Sequence, residues 1–314
     1  ADSSEWLTEQ LARRGLFFGT RPLCTVLRPR FLTPGQYDLL RARIAILLGA
    51  FNRALSAAIV HPQVMDRFCL LEWERTLALE EPRISASPVS RLDAFFDPGD
   101  GRLRFTEYNA ETPAGSGYND ALSELFLSIP AAAPFLSRYA MRALPVVPNV
   151  MHALLSTYSA WSGRRELPVI GILDWKEVPT YSEFVLFQEF FTAMGIRSVI
   201  ADVRDCELID GRLVAAGTPI DLIYKRVLIH ELVEKGGLDH PIVRAVRSGA
   251  VCMVNPFRCK VLHKKASLAV LSDERNGHLF DPMQREVIAE HVPWTRIVEE
   301  RKTAFQGKTI DLLP

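Results

Sequence analysis

Apolar residues recur at helical spacing in the first part of the chain. Thr33-Pro34 places a capping hydroxyl before a proline at the first helical position, which is typical of a helix start. From there to about residue 58, the apolar residues follow the three- and four-residue steps of a helix: Leu39, Leu40, Ile44, Leu47, Leu48, Phe51 and Leu55. A second helix is predicted over residues 64–78. The first 80 residues are therefore expected to be mainly helical.

The pattern then changes to one typical of strands. Residues 90–96 and 102–109 are predicted to be two strands, and the Asp-Pro-Gly-Asp-Gly sequence at 97–101 is a strong hairpin signal between them. A glycine-containing loop follows. More helix is expected up to about residue 162, with an interruption by prolines.

From residue 167 onward, strands and helices alternate. Strands are predicted at 168–173, 197–201, 221–227 and 251–254, with a small hairpin at 207–214 and helices at 182–194 and 240–248. This alternation favours a doubly wound, Rossmann-like sheet, so the expected fold class is α/β. Two more helices are predicted at 260–272 and 282–291. The expected organisation is a helical region carrying the hairpin (1–162), a Rossmann-like domain (163–259) and returning helices (260–314).

Composition and charge narrow the class of protein. A length of 314 residues suggests about two domains, and 48% apolar residues suffice for a core. Lys+Arg and Asp+Glu are both 37, and this balance disfavours non-specific binding to nucleic acid or to an anionic membrane. We expect a soluble cytoplasmic protein, because there is no signal-peptide pattern and no apolar run of about 18 residues. The odd, widely spaced cysteines are expected to be reduced thiols, several of them buried: Cys24, Cys69, Cys206, Cys252 and Cys259.

The hairpin carries the most specific chemical pattern. Because strand side chains alternate between faces, two sets of residues are each predicted to share a face: Arg91, Asp93 and Phe95, and Phe105, Glu107 and Asn109. A three- or five-residue loop centred on Asp100 would place Asp93 opposite Glu107 and Arg91 opposite Asn109. The same register would place the two phenylalanines opposite each other.

This register predicts a cation site. Two carboxylates directly opposite each other repel, and a nearby cation removes that cost. Carboxylate and amide oxygens are hard ligands suited to Mg²⁺, which takes further ligands from water and phosphate. Arg91, one position along the same face, could hold a phosphate oxygen. The alternative is a surface hairpin whose charges have no common role.

Three further segments are candidates for binding. Lys265 lies three residues from both Leu262 and Leu268, so it either extends to the edge of its predicted helix or points into a cleft, whereas Lys264 is expected to be solvated. Lys225 and Arg226 end a predicted strand, where ligands of open sheets bind, and the alternative is a solvated strand end. The loop Gly115-Ser116-Gly117 could bring backbone N–H groups to a substrate anion, or could be an ordinary turn.

These segments resemble a known family. Arg91-Leu92-Asp93 and Glu107-Tyr108-Asn109-Ala110-Glu111-Thr112-Pro113 are similar to the metal-binding segment of the glutathionylspermidine synthase-like, circularly permuted ATP-grasp proteins. The resemblance implies that Asp93, Glu107 and Asn109 bind Mg²⁺ and that Arg91 meets the terminal phosphate or the acyl phosphate. It also implies an ATP-grasp-like fold, with ATP and Mg²⁺ as cofactors and a small carboxylate and an amine as substrates.

Two later segments are similar to the same family. Residues 221–226, ending in Lys225-Arg226, look like the strand that ends its Rossmann-like pre-ATP-grasp domain. Asn255-Pro256 followed by Lys264-Lys265-Ala266 resembles the helix that returns to the nucleotide site. The resemblance therefore implies nucleotide contacts from Lys265, Lys225, Arg226 and Asn255.

One departure from the family opens alternatives. A glycine-rich, phosphate-binding loop should follow the last predicted helix, and residues 306–314 do not contain one. The expected function is therefore a carboxylate–amine ligase or a fragment of one. The alternatives are a non-catalytic small-molecule or nucleotide-binding protein that keeps the fold, and a metal-dependent nucleotide-sugar transferase. No glycine pattern for NAD and no metal-ligand spacing of histidines is present.

Overall fold

Residues 2–313, the part of the chain that this computed structural model describes, form a mixed α/β protein. The helices are α1 (Ser3–Arg13), α2 (Pro34–Val60), α3 (Pro62–Met65), α4 (Glu72–Leu79), α5 (Ser116–Ser128), α6 (Ala133–Leu136), α7 (Val147–Ser162), α8 (Tyr181–Ala193), α9 (Ile229–Gly236), α10 (Pro241–Arg247), α11 (Cys259–His263), α12 (Ala266–Ser272) and α13 (Pro282–His291). The strands are β1 (Phe17–Phe18), β2 (Arg21–Pro22), β3 (Arg91–Phe96), β4 (Leu103–Asn109), β5 (Ile170–Asp174), β6 (Ser198–Asp202), β7 (Cys206–Ile209), β8 (Arg212–Ala215), β9 (Thr218–Pro219), β10 (Leu222–Lys225), β11 (Cys252–Val254), β12 (Lys302–Phe305) and β13 (Lys308–Asp311).

The chain forms two units, each built from separate stretches of sequence. The sheet unit comprises Ala1–Arg30, Arg83–Val89 and Thr112–Pro256. The hairpin unit comprises Phe31–Pro82, Ser90–Glu111 and Phe257–Pro314. The chain passes between the units several times, so each unit joins residues that are far apart in sequence.

A four-stranded parallel sheet forms the centre of the sheet unit, with strand order β11-β10-β5-β6. The apolar residues of β5, β10 and β11 are buried, as expected for parallel strands covered by helices, whereas Val199 and Ile200 of the edge strand β6 are half-buried. Phe184, Phe187 and Phe191 recur at helical spacing along α8 and pack into the core that contains Ile172 of β5 and Leu222 of β10. Burying each such phenylalanine contributes roughly 1.5–3 kcal/mol.

The strand order locates a natural binding position in this sheet. The chain runs from β5 to its neighbour β6 and then crosses to β10 on the other side of β5. The connection therefore changes direction between β5 and β10. In open α/β sheets, the carboxyl ends of the strands at such a point form the ligand crevice. Asp174 ends β5 and Lys225 ends β10, so these two side chains mark that position.

Helix α2 organises the hairpin unit. Its start is the predicted one: Thr33 precedes Pro34 as the N-cap residue and forms a reciprocal capping box with Gln36. By length and composition alone α2 could cross a membrane, a property that core helices share. Helices α11, α12 and α13 pack against it within the unit. Its buried face consists of Leu47, Ala50, Phe51, Ala54, Leu55 and Ala58.

Two predicted helices are broken in the structure. The helix expected over 64–78 is interrupted at Cys69, which has a φ of 54°, before α4 begins. The helix expected over 260–272 is interrupted at Lys264, whose backbone is extended. In both cases the apolar spacing continues across the break, so periodicity alone could not show it. The five cysteines are free, and Cys206, Cys252 and Cys259 are buried.

Candidate functional site

The predicted pairing of residues across the hairpin is confirmed for the polar residues farthest from the loop. Asp93 is paired with Glu107, and Arg91 with Asn109. The loop, however, is neither of the expected lengths. The Asp97 N–H donates to the Arg102 carbonyl, and four residues, 98–101, connect the strands. A loop of that length shifts the register by one position, and a bulge in β4 shifts it back.

The bulge also changes which side chains share a face. Ala94 is paired with Phe105, so Thr106 is the extra residue of β4. Phe105 therefore points to the same side as Tyr108, and both are buried. The prediction that Phe105 shares a face with Glu107 and lies opposite Phe95 is wrong. Phe95 is paired with Arg104 and is 75% exposed.

Five charged or polar groups meet on the outer face of the hairpin, four from the hairpin itself and one from Lys265. Arg91 donates from Nε to Oδ1 of Asp93 at 2.6 Å and from Nη2 to Oδ2 at 3.2 Å. Asn109 donates from Nδ2 to Oδ2 of Asp93 at 3.4 Å. On the opposite strand, Oε1 of Glu107 lies 3.8 Å from Nζ of Lys265. Each of the two facing carboxylates therefore has a cation beside it.

Lys265 reaches the hairpin from the break between two helices. It is the N-cap residue of α12 rather than part of a continuous helix stripe, and its side chain is 75% exposed. Lys264 was expected to be solvated, and this is wrong. Its Nζ lies 2.7 Å from the buried carboxylate of Glu74 on α4. The helix is interrupted at Lys264, and the next residue, Lys265, is exposed.

Beneath this surface lies a buried ionic cluster that the sequence did not indicate. Glu111, two residues beyond Asn109, is fully buried and accepts a hydrogen bond from Lys260 of α11 at 3.1 Å. His263 Nε2 lies 3.6 Å from the same carboxylate. Lys260 is also 3.6 Å from Glu74. These contacts attach α11 to the end of β4 and to α4.

The donor set on the hairpin suits a hard cation that brings ligands of its own. Among the described residues there is no group of three or more His, Cys, Asp or Glu side chains that could hold a metal. The hairpin offers two carboxylates and one amide instead. Mg²⁺ commonly binds through one or two carboxylates together with water and phosphate. Asp93, Glu107 and Asn109 therefore fit Mg²⁺ in a nucleotide complex better than a metal held by protein ligands alone.

The glycine loop of the sheet unit already holds an anion from the protein. Ser116 begins α5, and Gly115 before it has a φ of 105°, which favours glycine. The backbone N–H groups of Gly115 and Gly117 donate to Oε1 of Glu183 at 2.8 and 3.0 Å. Glu183 on α8 is fully buried. The loop binds a carboxylate as its geometry suggested, but that carboxylate belongs to the chain.

Arg226 shares the same carboxylate. Its Nη2 donates to Oε2 of Glu183 at 2.8 Å, and its Nη1 donates to the Tyr224 hydroxyl at 2.9 Å. Burial lowers the pKa of Arg226, but the hydrogen bonds to Tyr224 and Glu183 and the negative charge of Glu183 more than offset this, so the pKa lies above its usual range. The guanidinium is only 5% exposed and therefore stays charged inside the unit.

The other two predicted binding residues of the sheet unit are also buried. Lys225 donates from Nζ to the Val227 carbonyl at 3.3 Å. The solvated strand end considered for Lys225 and Arg226 is not observed, because both side chains lie inside the unit. Asn255 accepts from the Val89 N–H through Oδ1 and donates from Nδ2 to the Val89 carbonyl. These amide contacts join the segment after β11 to residues 83–89.

Asp174 is a candidate that sequence reasoning missed. It ends β5 at the change of chain direction and is 8% exposed. Burial raises the pKa of Asp174 to about 6, despite the nearby charge of Arg226. Its Oδ1 accepts from the Trp175 N–H, whereas Oδ2 accepts no hydrogen bond from the described residues. The sequence signal that could have identified Asp174 is the position of an aspartate at the carboxyl end of a predicted central strand.

Comparisons with known proteins bear on the fold. Neither a scan against family models nor a search of curated proteins gave a match. Among solved structures, the chain is similar to a glutathione synthetase-like effector from Globodera pallida, determined in its apo form. The TM-score is 0.63 at 14% sequence identity, and the match covers 93% of this chain and 69% of that one. The chain therefore has a fold similar to that of this glutathione synthetase-like effector.

Proposed function

We propose that this protein is an ATP- and Mg²⁺-dependent carboxylate–amine ligase, or the metal-binding part of one. One observation carries the proposal: Asp93 and Glu107 face each other on one hairpin, with Asn109, Arg91 and Lys265 in contact with them. The glutathione synthetase-like fold supports it, because the neighbour is named for an enzyme of this class. The resemblance of the same hairpin to a metal-binding segment supports it independently.

The proposed chemistry has two steps. The substrate carboxylate attacks the terminal phosphorus of ATP, which forms an acyl phosphate and releases ADP. The amine then attacks the acyl carbon, and phosphate leaves as the C–N bond forms. Asp93, Glu107 and Asn109 would hold the Mg²⁺ that neutralises phosphate charge. Arg91 and Lys265 would donate hydrogen bonds to phosphoryl oxygens, a form of charge stabilisation that contributes strongly to such reactions.

The sheet unit has a candidate position for a small-molecule ligand of its own. The carboxyl ends of β5 and β10 mark the usual ligand position in such sheets. Oδ2 of Asp174 can accept a hydrogen bond from a substrate amine or hydroxyl. Lys225 supplies positive charge at the end of the neighbouring strand. The Gly115–Gly117 donors are engaged by Glu183, so we do not assign them to a substrate anion.

A non-catalytic binding protein is the second candidate. It is favoured by the pairing of both hairpin carboxylates with cations of the chain itself, which satisfies their charges in the absence of any ligand. Such a protein would bind Mg²⁺-nucleotide or a related anion without turnover.

One experiment separates the two functions. The natural protein is incubated with MgATP and a panel of small carboxylic acids and amines, and ADP is measured. A ligase sustains ADP release over many turnovers only when an acid and an amine are both present, and Glu107→Gln abolishes the release while Asp100→Asn in the hairpin loop does not. Nucleotide binding without ADP from any pair identifies a binding protein. Nucleotide binding that is unaffected by Glu107→Gln contradicts both.

A further inference from the structure

We propose that Arg91 and Lys265 exchange partners when the metal–nucleotide complex binds. In the structure they neutralise Asp93 and Glu107. In the complex the carboxylates bind the metal, and the two cations bind the phosphates. This inference rests on the proposed function, because it assumes that the hairpin is a metal–nucleotide site. It adds two points to that function: metal and nucleotide bind together, and Arg91 and Lys265 compete with the metal for the carboxylates.

The geometry shows that the carboxylates are already occupied. Both oxygens of Asp93 accept from Arg91, at 2.6 and 3.2 Å. Glu107 lies 3.8 Å from Lys265. Facing carboxylates without counter-charges would repel each other across the strands. A divalent cation that arrives alone must therefore displace two positive groups from the oxygens that it needs.

Exposure indicates that these pairs can open easily. The side chains of Arg91 and Asp93 are 45% and 36% exposed, and those of Lys265 and Glu107 are 75% and 33% exposed. Ion pairs with side chains this exposed to water are weak, so their members change partners readily. The phosphates of a nucleotide offer both cations a new partner with more charge, so opening the pairs is compensated only when metal and nucleotide arrive together.

The buried cluster below is suited to the opposite role. Lys260 and Glu111 are 6% and 0% exposed, and Glu74 is equally buried. Breaking a buried pair leaves an uncompensated charge and is strongly unfavourable. This cluster therefore holds the end of α11 and the end of β4 in place. The Lys265 side chain can turn from the carboxylate to a phosphate while its backbone stays fixed.

The exchange has a thermodynamic consequence. Metal and nucleotide raise each other's affinity by the same factor, because linkage between two ligands is reciprocal. Replacing Arg91 or Lys265 by a neutral residue removes the competitor for the metal and also a donor to phosphate. The same substitution should therefore strengthen the binding of free metal and weaken the binding of metal–nucleotide.

The test uses Mn²⁺ as a spectroscopic probe. Binding of free Mn²⁺, and of Mn²⁺ with a non-hydrolysable ATP analogue, is measured by electron paramagnetic resonance on the 314-residue chain. Arg91→Gln and Lys265→Gln are expected to raise the affinity for free Mn²⁺ at least about threefold. Each should lower the affinity for the Mn²⁺-nucleotide complex by about tenfold or more. Arg102→Gln is the matched control, because Arg102 pairs with Asp100 at 2.7 Å across the same two-residue spacing.

The outcomes distinguish this inference from the proposed function. If Mn²⁺-nucleotide binding depends on Asp93 but free Mn²⁺ binds no tighter to either Gln variant, the exchange is wrong and the site assignment stands. If wild type and Asp93→Asn bind Mn²⁺-nucleotide equally, the site itself is wrong, and the exchange fails with it. All substituted positions are on the surface, and an unchanged circular dichroism spectrum confirms the fold of each variant.

Discussion

Asp93 lies directly opposite Glu107 across the hairpin, although the loop that joins their strands is of the wrong length to place it there. The four-residue loop moves every pair by one position, and the extra residue Thr106 moves the register back before Glu107. The same bulge turns Phe105 and Tyr108 to the buried side. Two irregularities that cancel therefore keep Asp93 opposite Glu107 while Phe105 and Tyr108 are buried.

Ligand-dependent stability tests the two carboxylates directly. We expect MgATP at about 100 times its Kd to stabilise the wild-type protein by about 2.7 kcal/mol. Asp93→Ala and Glu107→Ala should lose most of this gain, because each removes a ligand for the cation. Differential scanning fluorimetry with and without MgATP measures it. Asp100→Ala, in the loop of the same hairpin, should keep the full shift; equal shifts in all variants would contradict the assignment.

Arg91→Lys separates charge from shape. Lysine keeps the positive charge, so nucleotide binding should persist in part, but it lacks the planar fork that matches phosphate. Turnover by the natural protein should fall by about 10²–10³-fold in kcat, the usual cost of losing one such donor. Arg102→Lys alters the same type of pair in the hairpin loop and should leave kcat unchanged. Normal kcat with a lowered melting temperature would show that Arg91 only stabilises the hairpin.

Glu183 is predicted to be essential for stability of the sheet unit. Its carboxylate accepts from Gly115, Gly117 and Arg226, and its side chain is fully buried. Glu183→Ala leaves a buried guanidinium without its counter-charge and should cost about 3–5 kcal/mol in unfolding free energy. Urea denaturation measures this cost. Glu189→Ala, at an exposed position of the same helix, should change stability little; an equally small effect at Glu183 would refute the prediction.

Asp174→Asn is predicted to stabilise the protein in a pH-dependent way. Burial raises the pKa of Asp174 from 3.8 to about 6, so the ionised side chain opposes folding. This penalty is complete above about pH 6, shrinks as the pH falls and is absent below the unfolded value. The variant should gain up to about 3 kcal/mol at pH 7.5 and little near pH 4.

Urea denaturation at the two pH values measures the effect, with the exposed Asp239→Asn as control. If Asp174→Asn differs from wild type in stability by the same amount at both pH values, Asp174 titrates normally in the folded protein.

The elements predicted correctly are those whose signals are local. Helix α13 begins and ends where expected, because Asp281 and Gln284 form a capping box within one turn. Helix α2 starts at Pro34 for the same kind of reason. The two hairpin strands were evident from the turn residues between them. The polar residues of the hairpin could be named because strand alternation and a family resemblance both point to them.

The sequence by itself determined the α/β class and most of the elements, because these depend on neighbours within a few positions. It named Asp93, Glu107 and Asn109 as a group, but their register depends on a loop length and a bulge at Thr106 that the pattern did not predict. Only the tertiary structure decided which charges meet. Lys264 pairs with the buried Glu74 at the break in the predicted helix, and the exposed Lys265 lies beside Glu107. Contacts between residues distant in sequence depend on how the elements pack, and no local pattern of side chains encodes the depth or the partner of a buried charge.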